Sequence, residues 1–324
     1  MSRALRNSPL VKPETRARIR QIAEELGYRT DRSAAGLRTR RSRTLALLLF
    51  EELSGVPHIN PFFLSMLGHI TRAAAQRGFD LLVSFQQQSE DWHTEYEVSN
   101  RADGIILLGY GDYVSYARRL QRLAETQAHF VIWGPVVEGL PGHYLGCDNA
   151  LGARLATEHL LRLGHRAIAF AGGASEHCPE FQQRHRAYAE TLRDAGLEPL
   201  PALQVDAQSH PNSGYQAGMA LVESGVPFDA VVAASDMIAV GVIRALLDRG
   251  RSVPGDVAVV GFDDIMTASF YNPPLTTVRQ DTREAGERLV DNLVRLIEGE
   301  EVESTLIEPQ LIVRVSCGGT PSAN

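Results

Sequence analysis

The chain has 324 residues, 44% of them hydrophobic and 22% charged, and a net charge of -7. That is too long for one small domain, and the composition is that of an ordinary globular protein. No apolar run approaches the roughly 18 residues of a membrane span, no apolar stretch follows the basic start as in a secretion signal, and Cys147, Cys178 and Cys317 lie too far apart for a disulfide framework or a CxxC zinc site; we expect a cytoplasmic protein with no cofactor or metal.

The charge is unevenly spread. Twelve of the 32 basic residues but only four of the 39 acidic ones fall in residues 1–44, so a basic head precedes an acidic body. Such asymmetry predicts a polyanion-binding module joined to something else. The head opens with "MSRAL", which reads as the tail of a helix. After "RNSPLVK" a helix is predicted from Pro13, a residue suited to the first helical position, with Glu14 in the first turn, where the helix dipole favours an anion. Ile19, Ile22, Ala23 and Leu26 form its apolar stripe, and Gly27 supplies a stop. One short helix cannot bury that stripe alone, so it needs partner helices. Next comes "RTDRSAAGLRTRRSRT", basic and rich in small residues. Its lone bulky apolar side chain, Leu37, lies between Arg32 and the cluster Arg38, Arg40, Arg41 and Arg43. A basic segment with an apolar wedge can enter a minor groove and unstack a base step.

From Thr44 onward short apolar runs alternate with helical stretches. The predicted strands are "TLALLLF", "FDLLVSF", "GIILLG", "HFVIWG" and "HYLGC", then "AIAFAGG", "LQVDA", "AVVAAS", "VAVVGFDD" and "TTVRQD". Continuous apolar strands separated by helices predict parallel sheets covered on both faces. Two sets of about five strands predict two doubly wound α/β units. Ligands of such sheets lie beyond the carboxyl ends of the strands. Those ends carry Cys147 with Asp148, Ser235 with Asp236, and Asp263 with Asp264, with Phe62, Phe63, Tyr110 and Trp133 nearby for stacking. Carboxylates and aromatic faces suit a polyhydroxylated or planar small molecule.

No phosphate loop, GxGxxG, HExxH or GxSxG motif is present, and no catalytic constellation, so an enzyme is not expected. His159 and His165 read as surface or capping residues. Trp92 reads as helix packing. The neighbouring acids of "FDD" should point differently, which weakens them as an acid/base pair.

Several separated motifs then occur in one order: "NSPLVKPETRARIRQIAEELGY", "GLRTRRSRT", "NPFF", "DGIIL", "DNALGARLATEHLLRLGHRAIAFAGG", "ASDMIAVGVIRAL", "VPGDVAVVGFDD" and "PPLTTVRQD". By these the chain resembles, over essentially its full length, the lactose-repressor (LacI/GalR) family of bacterial transcription regulators. The resemblance implies an N-terminal helix-turn-helix, a hinge helix, and a core of two subdomains like a periplasmic sugar-binding protein. It places a partial head and hinge at 1–43, one subdomain at 44–163 plus 280–304, and the other at 164–279 plus 305–324, with crossings near Gly164, Gln280 and Thr305. It implies a homodimer on double-stranded operator DNA, since the ending "SCGGTPSAN" lacks the leucine-rich helix of tetrameric members.

Site residues carry over in the same way. Arg184 of "QRHRAY" matches an effector-binding arginine, Asp263 a carboxylate opposite it, and Phe62 a stacking position. Ser235 stands where sugar responders commonly have asparagine, and Asp148 falls near the cleft. Ser2, Arg3 and Arg6, with Leu37 as the minor-groove wedge and Arg38 beside it, fall at DNA-contacting positions. Gly36 inside the hinge costs about 1 kcal/mol relative to alanine, so the hinge is expected to become helical only on DNA. "MSRAL" matches the end of a recognition helix usually read "VSRAL". The expectation is therefore a head completed upstream, with Met1 at a valine codon taken as the start, or a truncated protein. The implied function is a repressor controlled by a small-molecule effector, with a carbohydrate expected. A purine-like effector, or a truncated ligand-binding protein that no longer binds DNA, are the alternatives.

Overall fold

Helix α1 (Pro13–Glu25) begins where Pro13 predicts it and closes at Leu26. The computed structural model describes residues 12–26, 41–50, 59–86, 91–109, 113–136, 139–175 and 177–320. "MSRAL", Gly27 and the whole hinge around Gly36 and Leu37 lie outside the described residues. In α1 only Ala23 of the predicted stripe is fully buried, whereas Leu26 is 71% exposed.

The body contains two sheets, as expected, each of six strands rather than about five. The first contains β1 (Thr44–Leu49), β2 (Asp80–Phe85), β3 (Ile105–Leu108), β4 (Phe130–Trp133), β5 (His143–Cys147) and β11 (Thr305–Ile307), in the order β11-β5-β4-β3-β1-β2 and all parallel. The second contains β6 (Ile168–Ala171), β7 (Gln204–Val205), β8 (Ala230–Ala233), β9 (Ala258–Asp263), β10 (Thr276–Arg279) and β12 (Gln310–Ile312), in the order β12-β10-β9-β8-β6-β7, with only β12 antiparallel. Leu45 to Leu49 are all buried, the pattern of a strand covered on both faces. Helices α2 (Pro61–Gln76), α3 (Tyr113–Glu125), α4 (Asn149–Arg162), α5 (Pro179–Asp194), α6 (Pro211–Glu223), α7 (Asp236–Asp248) and α8 (Thr282–Ile297) provide that cover. Trp92 is buried ahead of a π-helical turn (His93–Val98), and its Nε1 donates to Gln86 O at 3.0 Å, as a packing residue should.

Two of the three crossings differ from the expected boundaries. Helix α4 packs on the second sheet rather than the first: a Cβ at Gly152 would meet Phe262 and Val278. The chain therefore crosses at Asp148–Asn149, not near Gly164, because the apolar face of α4 finds its partner in the second subdomain. Residues Thr305–Ile307 pair with Leu145–Cys147 in the first sheet, so the last crossing lies between Ile307 and Gln310 rather than at Thr305. Between β10 and α8 the chain passes back to the first sheet, since α8 packs on α2 and on β3 to β5.

Helix starts place polar side chains at the strand ends. Asn60 caps α2 by accepting from Phe62 N at 2.9 Å, Asp148 caps α4 from Leu151 N at 2.9 Å, and Ser235 caps α7 from Ile238 N at 3.3 Å. Each satisfies an amide that the first helical turn leaves unpaired.

Candidate functional site

Arg184, on α5, is 1% exposed. Its Nε donates to Asn149 Oδ1 at 2.8 Å, and its Nη1 donates to the Ala234 carbonyl and stands 3.9 Å from Asp263 Oδ1. The guanidinium lies 3.7 Å from the centre of the Phe262 ring and 5.3 Å from that of Phe181. A weakly hydrated planar cation tolerates such burial when its donors are used and its faces are stacked.

Asp263 ends β9 with φ of 122° and is also buried; its Oδ1 accepts from Gln280 Nε2 at 2.7 Å. Positive φ at a non-glycine residue stores strain that the surrounding contacts must hold. Asp264 follows with φ of 54° and turns away: its carboxylate is clamped by Arg279 at 2.6 Å and Arg314 at 2.7 Å. The two acids of "FDD" thus point differently, as the sequence predicts. A third carboxylate, Asp236, is completely buried. It accepts from Thr277 Oγ1 at 2.5 Å and Ile265 N at 2.9 Å. Burial pushes its carboxyl well above the usual range, and the like charge of Asp263 pushes it further. Cys147, at the end of β5, is pushed up to about 12 by burial, which keeps it an unreactive thiol.

Ser235 is fully buried, and its hydroxyl oxygen receives a hydrogen bond from Ser209 Oγ at 2.7 Å. Ser209 in turn accepts from Asn60 Nδ2 at 2.9 Å. Because Asn60 starts a helix of the first subdomain, this chain joins the two subdomains. Phe62, one turn into α2, is 1% exposed and stacks near Phe63 (5.1 Å) and Trp133 (6.0 Å). A pocket of about 160 Å3 at the seam is lined by Phe62 and Ser65 from one side and by Ile265, Met266, Arg279 and Gln280 among others from the other.

The structure thus brings together Arg184 and Asp263, with Ser235 next to Ala234, which accepts from Arg184. Phe62 faces the Gln280 side of the seam. Asp148 is only half-buried, and its carboxylate is engaged in capping α4. Sequence reasoning missed Asn60, Asn149, Ser209 and Gln280 as site residues, and named Asp236 only as an acid at a strand end. Gln280 was legible as a polar residue directly after a strand, whereas nothing local marked Ser209. Ser2, Arg3, Arg6, Leu37 and Arg38, and the aromatic Tyr110, lie outside the described residues. His159 Nε2 lies 3.3 Å from Cys317 Sγ and His165 Nδ1 lies 3.5 Å from Asp229. Among the described residues no group of three potential metal ligands forms, and no helix is long and apolar enough to cross a membrane.

Residues 157–317 match the family model of a periplasmic binding protein-like domain. The chain is 32% identical over 323 residues to the HTH-type transcriptional regulator CelR of Thermobifida fusca, covering 98% of this chain and 93% of that protein. It is 28% identical over 300 residues to the ribose operon repressor of Escherichia coli K12, covering 92% and 88%. Among solved structures, a CelR–cellobiose complex superposes with a TM-score of 0.75 at 32% identity, covering 97% of this chain and 94% of that one. The Lac repressor dimer bound to operator and the anti-inducer ONPF superposes with a TM-score of 0.83 at 25% identity, covering 98% and 94%.

Proposed function

The chain belongs to the LacI family of transcriptional regulators, and on that premise we propose that it is a repressor whose grip on operator DNA is switched by a carbohydrate held between its two core subdomains. The observation that carries this reading is the convergence of Arg184, Asp263 and Gln280 at the carboxyl edge of the second sheet, with Phe62 facing them from the first. Carboxylate and amide oxygens accept from sugar hydroxyls, the guanidinium donates to a ring or hydroxyl oxygen, and an aromatic face covers the apolar side of a pyranose. Relatives named for ribose and solved with cellobiose support the same ligand class.

The switch follows from placement. An effector that binds between the subdomains can shift their relative orientation only through different contacts in the two states. The Asn60–Ser209–Ser235 bridge is one such contact that a ligand could replace. The active species is a homodimer, and the side chains of Met266 and Phe270, 83% and 85% exposed, are apolar surface that a second copy would cover. The basic head binds the operator through phosphate contacts, so binding weakens steeply with salt.

Thermal unfolding against saccharide and purine panels tests the effector class. A true ligand at 100 times its Kd adds about 2.7 kcal/mol. Stabilisation by purines and by no saccharide would reject the carbohydrate. A gel shift on DNA upstream of the coding region tests the repressor reading: retained binding that no stabilising ligand alters would reject it.

A further inference from the structure

The carboxyl edge of the second sheet extends beyond the cleft described above. In the order β10, β9, β8, β6, β7, the first three strands lead into Gln280, Asp263 and Ser235. The last two open on a separate pocket of about 230 Å3, lined by Gly173, Ser175, Asp206, Ala207, Gln208 and Ser213. Gly173 and Ser175 follow the end of β6 at Ala171. Asp206 to Gln208 follow the end of β7 at Val205, and Ser213 belongs to the first turn of α6. Three strand spacings separate β9 from β7, about 14 Å at ordinary strand separation.

The lining is rich in oxygen and contains no basic side chain. Ser213 Oγ accepts from Gln208 N at 2.9 Å and keeps its own proton to donate. Among the described residues neither the Asp206 carboxylate nor the Ser175 hydroxyl has a hydrogen-bonding partner. Ala207 is buried beneath them, and its carbonyl is used by Gly173 N at 3.0 Å, which leaves a small-residue floor. One acceptor, two hydroxyls and that floor suit a neutral ring bearing hydroxyls. A phosphate or carboxylate would meet the Asp206 charge with no countercharge in the lining. The loop that lines the pocket also reaches the cleft: Ser209, next to Gln208, donates to Ser235 and accepts from Asn60.

We propose that this pocket is an outer carbohydrate subsite, and that the effector is a saccharide of more than one ring lying along the sheet edge from Asp263 to Asp206. The proposal rests on the carbohydrate reading above and adds the length of the ligand to it. A single ring at Asp263 leaves the outer pocket empty. A longer saccharide occupies both places and meets the 206–213 loop, where it competes with Asn60 for Ser209. Chain length then becomes part of what the regulator reads.

Isothermal titration of the intact chain against matched mono-, di- and trisaccharides of glucose, xylose, galactose and mannose tests this. The wild type should bind a di- or trisaccharide about tenfold or more tighter than its monosaccharide, the worth of a hydrogen bond to a charged group. Asp206→Ala should remove most of that preference and leave monosaccharide affinity unchanged. Asp206 is exposed, so the variant should unfold at the wild-type temperature. A wild type without preference for length, or a variant that keeps the preference, overturns the subsite and leaves the carbohydrate reading standing. Binding of no saccharide at all overturns both.

Discussion

Gly241 lies inside α7, where its missing side chain lets α6 approach closely. A Cβ built there would sit 2.7 Å from Gly214 C and nearer still to Pro211 O and Tyr215 N, all backbone atoms of α6 and none able to rotate away. Carbon atoms rest at about 3.5–4.0 Å, so Gly241→Ala must push the helices apart by about 1 Å. Overpacking of this kind costs about 1–3 kcal/mol, and the helical propensity of alanine returns about 1 kcal/mol. Because the obstruction is backbone, we expect the upper part of that range and a net loss of about 1–2 kcal/mol. Gly68, inside α2, is the control: a Cβ there meets nothing within 4 Å. Gly68→Ala should gain up to about 1 kcal/mol from propensity alone. Urea unfolding should therefore show the two midpoints moving in opposite directions at a constant slope. A Gly241→Ala midpoint at or above wild type would refute the close backbone packing. Because Ser235 caps α7, the displaced helix should also weaken effector binding.

Arg184→Met should destabilise by about 3–5 kcal/mol, because it strands the buried Asp263 carboxylate and the acceptors Asn149 and Ala234; unfolding free energy and saccharide affinity should fall together, and an unchanged midpoint would contradict the role assigned to the guanidinium. Asp103→Ala should cost about 1–2 kcal/mol, since that carboxylate accepts from Ser42 N at 2.6 Å, Ser42 Oγ at 2.8 Å and Arg43 N at 2.9 Å where the chain enters the core; amide exchange at residues 42–44 should rise with it. Chiefly through its hydrogen bond to Glu97, His129 has a pKa above the ordinary value of about 6.5. The stability it adds is full below that ordinary value and is lost as pH rises through the higher folded value. His129→Gln should remove this component, so wild type and variant should converge in urea midpoint as pH is raised, and divergence would reject the assignment.

Ten of the twelve described strands were legible because their apolar runs are punctuated well enough to be separated, whereas β11 and β12 carried no such signal. The start of α1 was legible because Pro13 and Glu14 mark it. The destination of α4 was not, since its apolar face fits either sheet and only Phe262 and Val278 show which one it found. Strand β11 was assigned to the wrong subdomain for a similar reason: Thr305–Ile307 and Gln310–Ile312 are close in sequence, and only their partners divide them. At the site, Asp263 was legible as an acid at the carboxyl end of a strand, whereas Arg184 followed only from the family resemblance of "QRHRAY". Ser235 was read as a contact to the ligand. Its hydroxyl is also tied to Ser209, and that link depends on the fold of a loop far away in sequence.

Neither sheet is complete until residues 305–312 have been made. Strand β11 closes one edge of the first sheet and β12 one edge of the second, and both lie within residues 305–312. Synthesis proceeds from the N-terminus, and domains normally fold as they emerge. Here the first subdomain must wait for α8 and β11, made after the bulk of the second. The two halves therefore finish folding together, once residues 305–312 have emerged, and a ribosome that stops short near residue 304 releases a chain in which β5 and β10 lack these partners.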